Sequence, residues 1–229
     1  MTAPRRARLS RKSYLWLLLG LFAAWWVAMG IAPLHRDDWV LENVLTVLAI
    51  ALLLYTYKSF PLSNVSYTCI FFFLVLHTLG SHYTYAKVPY DEWFPIFAGG
   101  RNHFDRLVHF LYGLLLAYPI REMFLRIGNV RGFWGYFLPL DLTMSTSMLY
   151  ELIEWVAAEV LGGDLGAAYL GTQGDVWDAH KDMALASLGA LIAMTLTAVI
   201  NRHMQRDFAH EWAESIRVKR KKPLGEAAL

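Results

Sequence analysis

Hydrophobic residues dominate six long segments of the chain, and short polar segments separate them. Each hydrophobic segment has the length of about 17–25 residues that an α-helix needs to cross a bilayer. The pattern therefore predicts an all-α fold, a polytopic transmembrane bundle of six helices. The six segments are Ser13–Leu34, Trp39–Tyr57, Val65–Ser81, His103–Ile120, Leu140–Val160 and Val176–Ile200.

Composition agrees with this pattern, because 56% of the 229 residues are hydrophobic and only 17% are charged. Soluble domains carry about 25% charged residues. Basic residues from Arg5 to Lys12 precede the first segment, so a secretory signal peptide is the competing interpretation. The segment is longer than a signal-peptide core and has no small-residue cleavage motif before His35, so we expect an uncleaved first span.

Basic residues are distributed unequally between the two sides of the predicted bundle. With six spans, 16 of the 21 lysines and arginines fall on the side that holds both termini. Because cytoplasmic segments carry the excess of positive charge, both termini are predicted to be cytoplasmic. The chain is then predicted to be a multi-pass membrane protein, with basic tails at 1–12 and 202–229 and one transmembrane domain at 13–201. The basic run at 217–222 favours anionic lipid over nucleic acid as a partner, and the sequence indicates no particular protein partner.

Ionisable side chains gather on the external side of this bundle. Six of the eight histidines and 13 of the 19 carboxylates fall there. Because ionisable groups at membrane depth are expensive, such a concentration usually marks a functional site. Helical spacing arranges the polar residues of the last three spans in stripes. The stripes are Asn102, Asp105, Arg106, His109 and Gly113; Ser147, Glu151, Glu154 and Ala158; and Asp175, Asp178 and Asp182.

A divalent metal ion is the cofactor that these side chains suggest. Imidazole and carboxylate groups suit Zn, Mn or Fe, and residues one helical turn apart can offer two ligands to one ion. The predicted ligands are His77, Asp105, His109, Asp178 and Asp182. Glu151 and Glu154, near mid-membrane, are the predicted catalytic bases toward a metal-bound water. Arg101 and Arg106 are predicted to bind an anionic headgroup of the substrate.

The corresponding function is metal-assisted chemistry on a lipid or cell-envelope molecule, and two other classes remain open. In a transporter, the same carboxylates would bind a proton or a cation, although the chain has no repeated halves. In a non-catalytic envelope protein, they would form a structural polar network that fixes helix packing. The sequence alone therefore does not decide whether the chain is an enzyme. Cys69 is the only cysteine, which excludes an intramolecular disulfide and a cysteine-based metal motif.

Longer motifs between Trp16 and Ile200 carry a resemblance to a known family. They are Pro33-Leu-His-Arg-Asp37, Trp39-Val-Leu-Glu-Asn43, His77-x4-His82-Tyr-Thr-Tyr85, Val88-Pro-Tyr-Asp91, Arg101-Asn-His-Phe-Asp-Arg106 with His109-Phe-Leu-Tyr-Gly113, Tyr150-Glu-Leu-Ile-Glu-Trp155, and Gly171-Thr-Gln-Gly-Asp-Val-Trp-Asp178 with Asp182. In these motifs the chain resembles the YjdF-like bacterial inner-membrane proteins, a domain family without an assigned reaction. The resemblance implies a location in the bacterial inner membrane, agrees with the predicted topology and marks the polar residues, and it implies no particular chemistry.

A second likeness rests on the acidic residues of the last two spans. The pair Glu151 and Glu154, followed by Asp175, Asp178 and Asp182, is similar to the pattern of VanZ-like membrane proteins. This chain has Glu154 where a glutamine is common in that family, and it has additional histidines. The likeness implies a role in the cell envelope.

Overall fold

A computed structural model of the chain describes residues 9–95, 100–163, 166, 170–204 and 208–219, except for the side chain of residue 91. Within these ranges all of the regular secondary structure is helical, which confirms the all-α prediction. The helices are α1 (Arg11–Gly30), α2 (Arg36–Thr56), α3 (Asn64–His82), α4 (Tyr90–Trp93), α5 (Phe104–Ile127), α6 (Trp134–Leu161), α7 (Asp178–Met204) and α8 (Phe208–Ser215).

Four of these helices, α1, α2, α3 and α7, are long and apolar enough to cross a membrane. α5 and α6 are 24 and 28 residues long, so their length suffices as well. Both carry charged residues that lower their mean hydropathy. The count of six spans and the cytoplasmic placement of both termini therefore remain predictions. Residues 1–8 and 220–229, which hold half of the 12 basic residues of the two predicted tails, lie outside the described residues.

The boundaries of α5 and α6 differ from the predicted spans. α5 continues past Ile120 to Ile127, and α6 begins at Trp134 rather than at Leu140. Hydropathy marks where a chain becomes apolar, whereas a helix continues as long as its backbone is satisfied, through Pro119 in α5 and Pro139 in α6. The helical bundle is consequently longer than its apolar segments at the end near the α5–α6 turn.

Small residues bring α5 and α7 into close contact along the largest helix–helix interface of the structure. A Cβ atom added to Gly113 would lie 1.8 Å from the Ala186 carbonyl oxygen, and one added to Gly189 would lie 2.1 Å from that of Phe110. Close backbone approach through small residues is a common means of helix association in membranes. The two glycines thus set the distance between the polar residues of α5 and those of α7.

The remaining helices surround this pair. α3 packs on α5, α6 packs on both α5 and α7, and α1 and α2 pack on α3. In α8, Phe208 and Trp212 lie with their rings against Tyr136 of α6. The predicted C-terminal tail, 202–229, is therefore partly helical. Its first residues, 202–204, are the end of α7, and α8 packs against the bundle.

Candidate functional site

Three side chains from two helices bring their polar atoms together near the N-terminal ends of α5 and α7. Asp105 and His109 are one turn apart on α5, and Asp182 lies on α7. One ligand atom of each side chain lies within 4.8 Å of those of the other two. His109 Nε2 is 3.6 Å from Asp105 Oδ1. Asp105, His109 and Asp182 are called the carboxylate–histidine cluster below.

Glu151 of α6 adjoins this cluster from a third helix. Its Oε1 atom lies 3.5 Å from His109 Nε2. Neither Glu151 Oε1 nor Asp182 Oδ1 has a hydrogen-bond partner among the described residues, although both atoms are buried. Asp182 is only 2% exposed and His109 only 8%. Buried carboxylate oxygens normally have partners, so these two atoms are acceptors with unused hydrogen-bonding capacity among the described residues.

The two predicted substrate-binding arginines form ion pairs with Asp178 at the start of α7 and with Asp175 just before it. Arg101 Nη2 lies 2.5 Å from the Asp178 carboxylate. Arg106 Nη2 lies 2.5 Å from Asp175 Oδ2 and 3.3 Å from Asp178 Oδ1. Arg101 also donates a hydrogen bond to the backbone carbonyl of Thr172. Asp178, a predicted metal ligand, is therefore engaged by arginines and stands outside the carboxylate–histidine cluster.

Asp175 lies in the loop before α7, where its carboxylate accepts several hydrogen bonds. Lys181 Nζ is 2.6 Å from Asp175 Oδ2, and the backbone amide of Trp177 donates to Oδ1 at 3.1 Å. These two bonds, together with the one from Arg106, hold the pKa of the Asp175 carboxyl well below its usual range. The loop before α7 is thus fixed to the start of α5 by charged groups.

His77 of α3, another predicted ligand, has both ring nitrogens engaged elsewhere. Its Nδ1 is in hydrogen-bond contact with the Tyr85 hydroxyl, and its Nε2 lies 3.2 Å from the backbone carbonyl of Glu42. Thr84 and Tyr85 adopt positive φ angles of 53° and 46°, which are uncommon for residues other than glycine. This turn directs the Tyr85 ring back onto His77, so His77 has a positioning contact in place of a free ligand atom.

The other predicted base, Glu154, lies in an acidic pocket next to the cluster. A small cavity is lined by Glu154, Asp105, and the α2 residues Asp38 and Glu42. Tyr150 donates its hydroxyl to Glu42 Oε2 at 3.2 Å, which links α6 to α2. Carboxylates of three helices consequently surround one small volume.

Positive charge is not shared evenly among these acidic groups. In the described part of the chain, the lysine and arginine nitrogens within 4.0 Å of a carboxylate at this end of the bundle contact Asp175 and Asp178. Asp105 and Glu151 each have the imidazole of His109 within 4.0 Å, and among the described residues no lysine or arginine nitrogen lies that close to Asp105, Asp182 or Glu151. Burying unpaired negative charge is costly unless a cation or a proton offsets it. Either a bound cation or protonation of the carboxylates would offset the negative charge of this cluster.

These features define an all-helical membrane protein with a buried acidic and histidine-containing site at one end of its bundle. The family model described as "Predicted membrane protein (DUF2238)" matches residues 14–203, and the chain belongs to that family. It is 38% identical over 184 residues to the inner membrane protein YjdF of Escherichia coli (strain K12), covering 78% of this chain and 86% of the relative. No solved structure matches the chain.

The family assignment confirms the YjdF-like resemblance and the location of the chain in the bacterial inner membrane. The family description names a membrane protein and no reaction.

The predicted site residues fall into three groups in the structure. Asp105, His109, Asp182 and Glu151 come together, Glu154 lies in the adjoining pocket, and His77 and Asp178 have other partners.

Three residues around this site are not among the predicted site residues. Tyr85 contacts His77, and Tyr150 contacts Glu42. Glu42 offered a signal, since it is a single carboxylate within an apolar span. No pattern in the sequence distinguishes the two tyrosines from the other ten, because their role depends on which helices are neighbours.

Proposed function

We propose that the carboxylate–histidine cluster binds one divalent cation, and that the chain uses it in metal-assisted hydrolysis of a lipid or lipid-linked envelope molecule. The observation that carries the proposal is the arrangement of Asp105, His109 and Asp182, whose ligand atoms lie within 4.8 Å of one another in a buried setting.

The separations between ligand atoms favour a bound ion over direct hydrogen bonds. His109 Nε2 lies 3.5 Å from Glu151 Oε1 and 3.6 Å from Asp105 Oδ1. Hydrogen bonds of this type measure about 2.7–3.2 Å. Two ligands at 2.0–2.2 Å from a tetrahedral ion lie about 3.4 Å apart. The 3.6 Å between the proposed ligands His109 and Asp105 therefore suits two atoms that bind a common ion, and the Glu151 oxygen lies beside them.

The chemistry of the ligands narrows the choice of ion. One imidazole combined with two or three carboxylates suits Zn, Mn or Fe, whereas a site made of oxygen atoms alone would favour Mg or Ca. Asp182 Oδ1 and Glu151 Oε1 lack hydrogen-bond partners among the described residues, so both are available to a cation or to a water bound to it. A positive ion would also offset the buried negative charge of the cluster.

The roles of the individual side chains follow from their positions. Asp105, His109 and Asp182 are the proposed ligands. Glu151 is the proposed general base, since its free oxygen lies beside His109 without belonging to the three-residue cluster. It would take a proton from a bound water, which then attacks an ester or phosphoester bond, and the proton would pass to the departing oxygen. Glu154, which lines the adjoining pocket, is the proposed second acceptor for this proton.

Elemental analysis tests the proposal. The protein would be purified in detergent without chelator and without a polyhistidine tag, as wild type and as Asp182→Asn and Asp37→Asn variants. Asp37 is an exposed aspartate on α2 and provides a matched control. We expect about one transition-metal ion per chain in the wild type and in Asp37→Asn, and at least about a tenfold weaker retention in Asp182→Asn, a loss of about 1.4 kcal/mol or more. Folded wild-type protein without metal would contradict the proposal and would favour a structural polar network.

A further inference from the structure

A cavity of about 320 Å³ lies between α2, α3, α5 and α6, directly beside the carboxylate–histidine cluster. Its polar end is formed by Asp105 and His109, and most of its other lining residues are apolar. The volume is at the lower end of the range of about 300–1,000 Å³ found for ligand pockets. The cavity thus combines an apolar body with a polar end at the candidate metal site.

The side of this cavity between α2 and α6 is formed by residues of the outer surface. Leu45 of α2 and Leu149 and Ile153 of α6 line the cavity, and their side chains are 45%, 52% and 45% exposed. α2 packs mainly on α3, and the Tyr150–Glu42 hydrogen bond joins it to α6. In a bundle of membrane-spanning helices, the outer surface at this level faces lipid hydrocarbon. The cavity is therefore accessible sideways from the bilayer.

Two hydroxyl groups in the cavity lack partners among the described residues. Thr46 and Ser147 are each 2% exposed, and neither Thr46 Oγ1 nor Ser147 Oγ has a hydrogen-bond partner there. On the same helix as Ser147, Thr143 and Thr146 donate to the carbonyls four residues earlier. Since a buried hydroxyl without a partner is costly, the cavity is suited to a ligand that carries an oxygen atom as well as hydrocarbon.

We propose that this cavity receives an acyl chain of a membrane lipid, which enters from the bilayer between α2 and α6. The apolar residues of the cavity contact the hydrocarbon of the lipid. Thr46 and Ser147 donate hydrogen bonds to an oxygen of the lipid, and the polar end of the bound acyl chain faces Asp105 and His109. The assignment of the lipid as substrate rests on the proposed function, since only a bound cation gives the cluster its chemistry. Lateral entry explains how a site at membrane depth is reached by a molecule that does not leave the bilayer.

Photocrosslinking with a labelled lipid tests this proposal. The full-length protein would be placed in phosphatidylethanolamine vesicles that contain phosphatidylglycerol with a diazirine on its acyl chain. After irradiation, mass spectrometry would locate the labelled peptides. The cavity-filling variant is Ala49→Phe, because Ala49 lines the cavity. The matched control is Ala51→Phe, two residues along α2 at an exposed position.

We expect labelling of the α6 peptide that contains Leu149 and Ile153, with about a tenfold decrease in Ala49→Phe, which corresponds to about 1.4 kcal/mol of lost binding. Labelling in Ala51→Phe should equal that of the wild type. Uniform labelling of all lipid-facing helices, unaffected by Ala49→Phe, would overturn the proposal. Melting temperatures of both variants show whether the comparison is made between folded proteins.

Metal content and acyl labelling together separate the two proposals. If the wild type binds lipid but no metal, its α6 peptide is labelled and elemental analysis finds no ion. If the wild type binds metal but its cavity does not admit lipid, the ion is retained and the α6 label does not depend on Ala49→Phe. In the combined account, Asp182→Asn loses the metal and retains the acyl label, because Asp182 does not line the cavity.

Discussion

His109 Nε2 of α5 lies 3.5 Å from Glu151 Oε1 of α6, and that oxygen has no hydrogen-bond partner among the described residues. The contact joins two helices at a buried position where a negative charge has little access to water. Whether Glu151 stabilises the protein therefore depends on what offsets its charge.

Glu151→Gln should change the stability of the protein in opposite directions with and without metal. In the metal-loaded protein, the substitution removes a charge that faces the cation and should lower the melting temperature. After treatment with a chelator, it removes one of several buried negative charges and should raise the melting temperature. Thermal unfolding of wild type and variant under both conditions provides the measurement. The same sign of the change in both conditions would contradict a metal at the cluster.

Gly113→Ala should weaken both the α5–α7 interface and metal retention. The new methyl group would lie 1.8 Å from the Ala186 carbonyl oxygen, so the two backbones must separate. Overpacking of this kind costs about 1–3 kcal/mol, occasionally more, and it moves His109 away from Asp182. Gly20→Ala is the control, because no atom lies within 4 Å of a Cβ at Gly20. Unfolding in detergent would be compared for both variants, and equal stability would show that close contact at Gly113 is not required.

The contribution of Asp175 to stability should depend on pH in acid. Its folded-state pKa lies below the ordinary value of about 3.9 because of Lys181, the Trp177 amide and Arg106. A depressed pKa stabilises the folded protein above the unfolded value, and this stabilisation is lost as the pH falls toward the folded value. The difference in melting temperature between wild type and Asp175→Asn should be constant from pH 7 to about pH 5. It should shrink below about pH 4, and a difference that grows in acid would contradict this assignment.

Reporter fusions test the predicted topology. Fusions after Phe60, Pro95, Ile127 and Gly225 should report cytoplasmic, external, cytoplasmic and cytoplasmic positions, because 16 of the 21 basic residues then fall on the cytoplasmic side. An external reporter at Gly225 would require an odd number of spans. The position of the carboxylate–histidine cluster relative to the membrane would then differ from the position expected with six spans.

Periodicity and hydropathy were sufficient to predict the six long helices, although not the short helices α4 and α8, and to predict that Asp105 and His109 are neighbours. Asp105 and His109 share a face because they are four residues apart on α5, and that relationship is local in sequence. The approach of Asp182 to both depends on Gly113 and Gly189, which allow α5 and α7 to touch. Spacing along one helix contains no information about such a contact.

Contacts between distant segments also determine why two predicted ligands, Asp178 and His77, lie outside the carboxylate–histidine cluster. Asp178 and Asp182 lie on one stripe of α7, but Arg101 and Arg106 engage the first of them. His77 belongs to the right region of the bundle, yet the Thr84–Tyr85 turn brings a tyrosine hydroxyl onto its ring. Both outcomes result from contacts between segments far apart in sequence, and residue types alone do not determine which partner an ionisable group finds.

The most direct test of the central claim is an anomalous difference map from crystals of the protein, grown without chelator and measured at the absorption edge of the metal found by elemental analysis. The account predicts one peak between α5 and α7, about 2.0–2.2 Å from a His109 ring nitrogen and from carboxylate oxygens of Asp105 and Asp182. A well-ordered map in which these three side chains contact only each other, or water, with no anomalous peak between them, would contradict it.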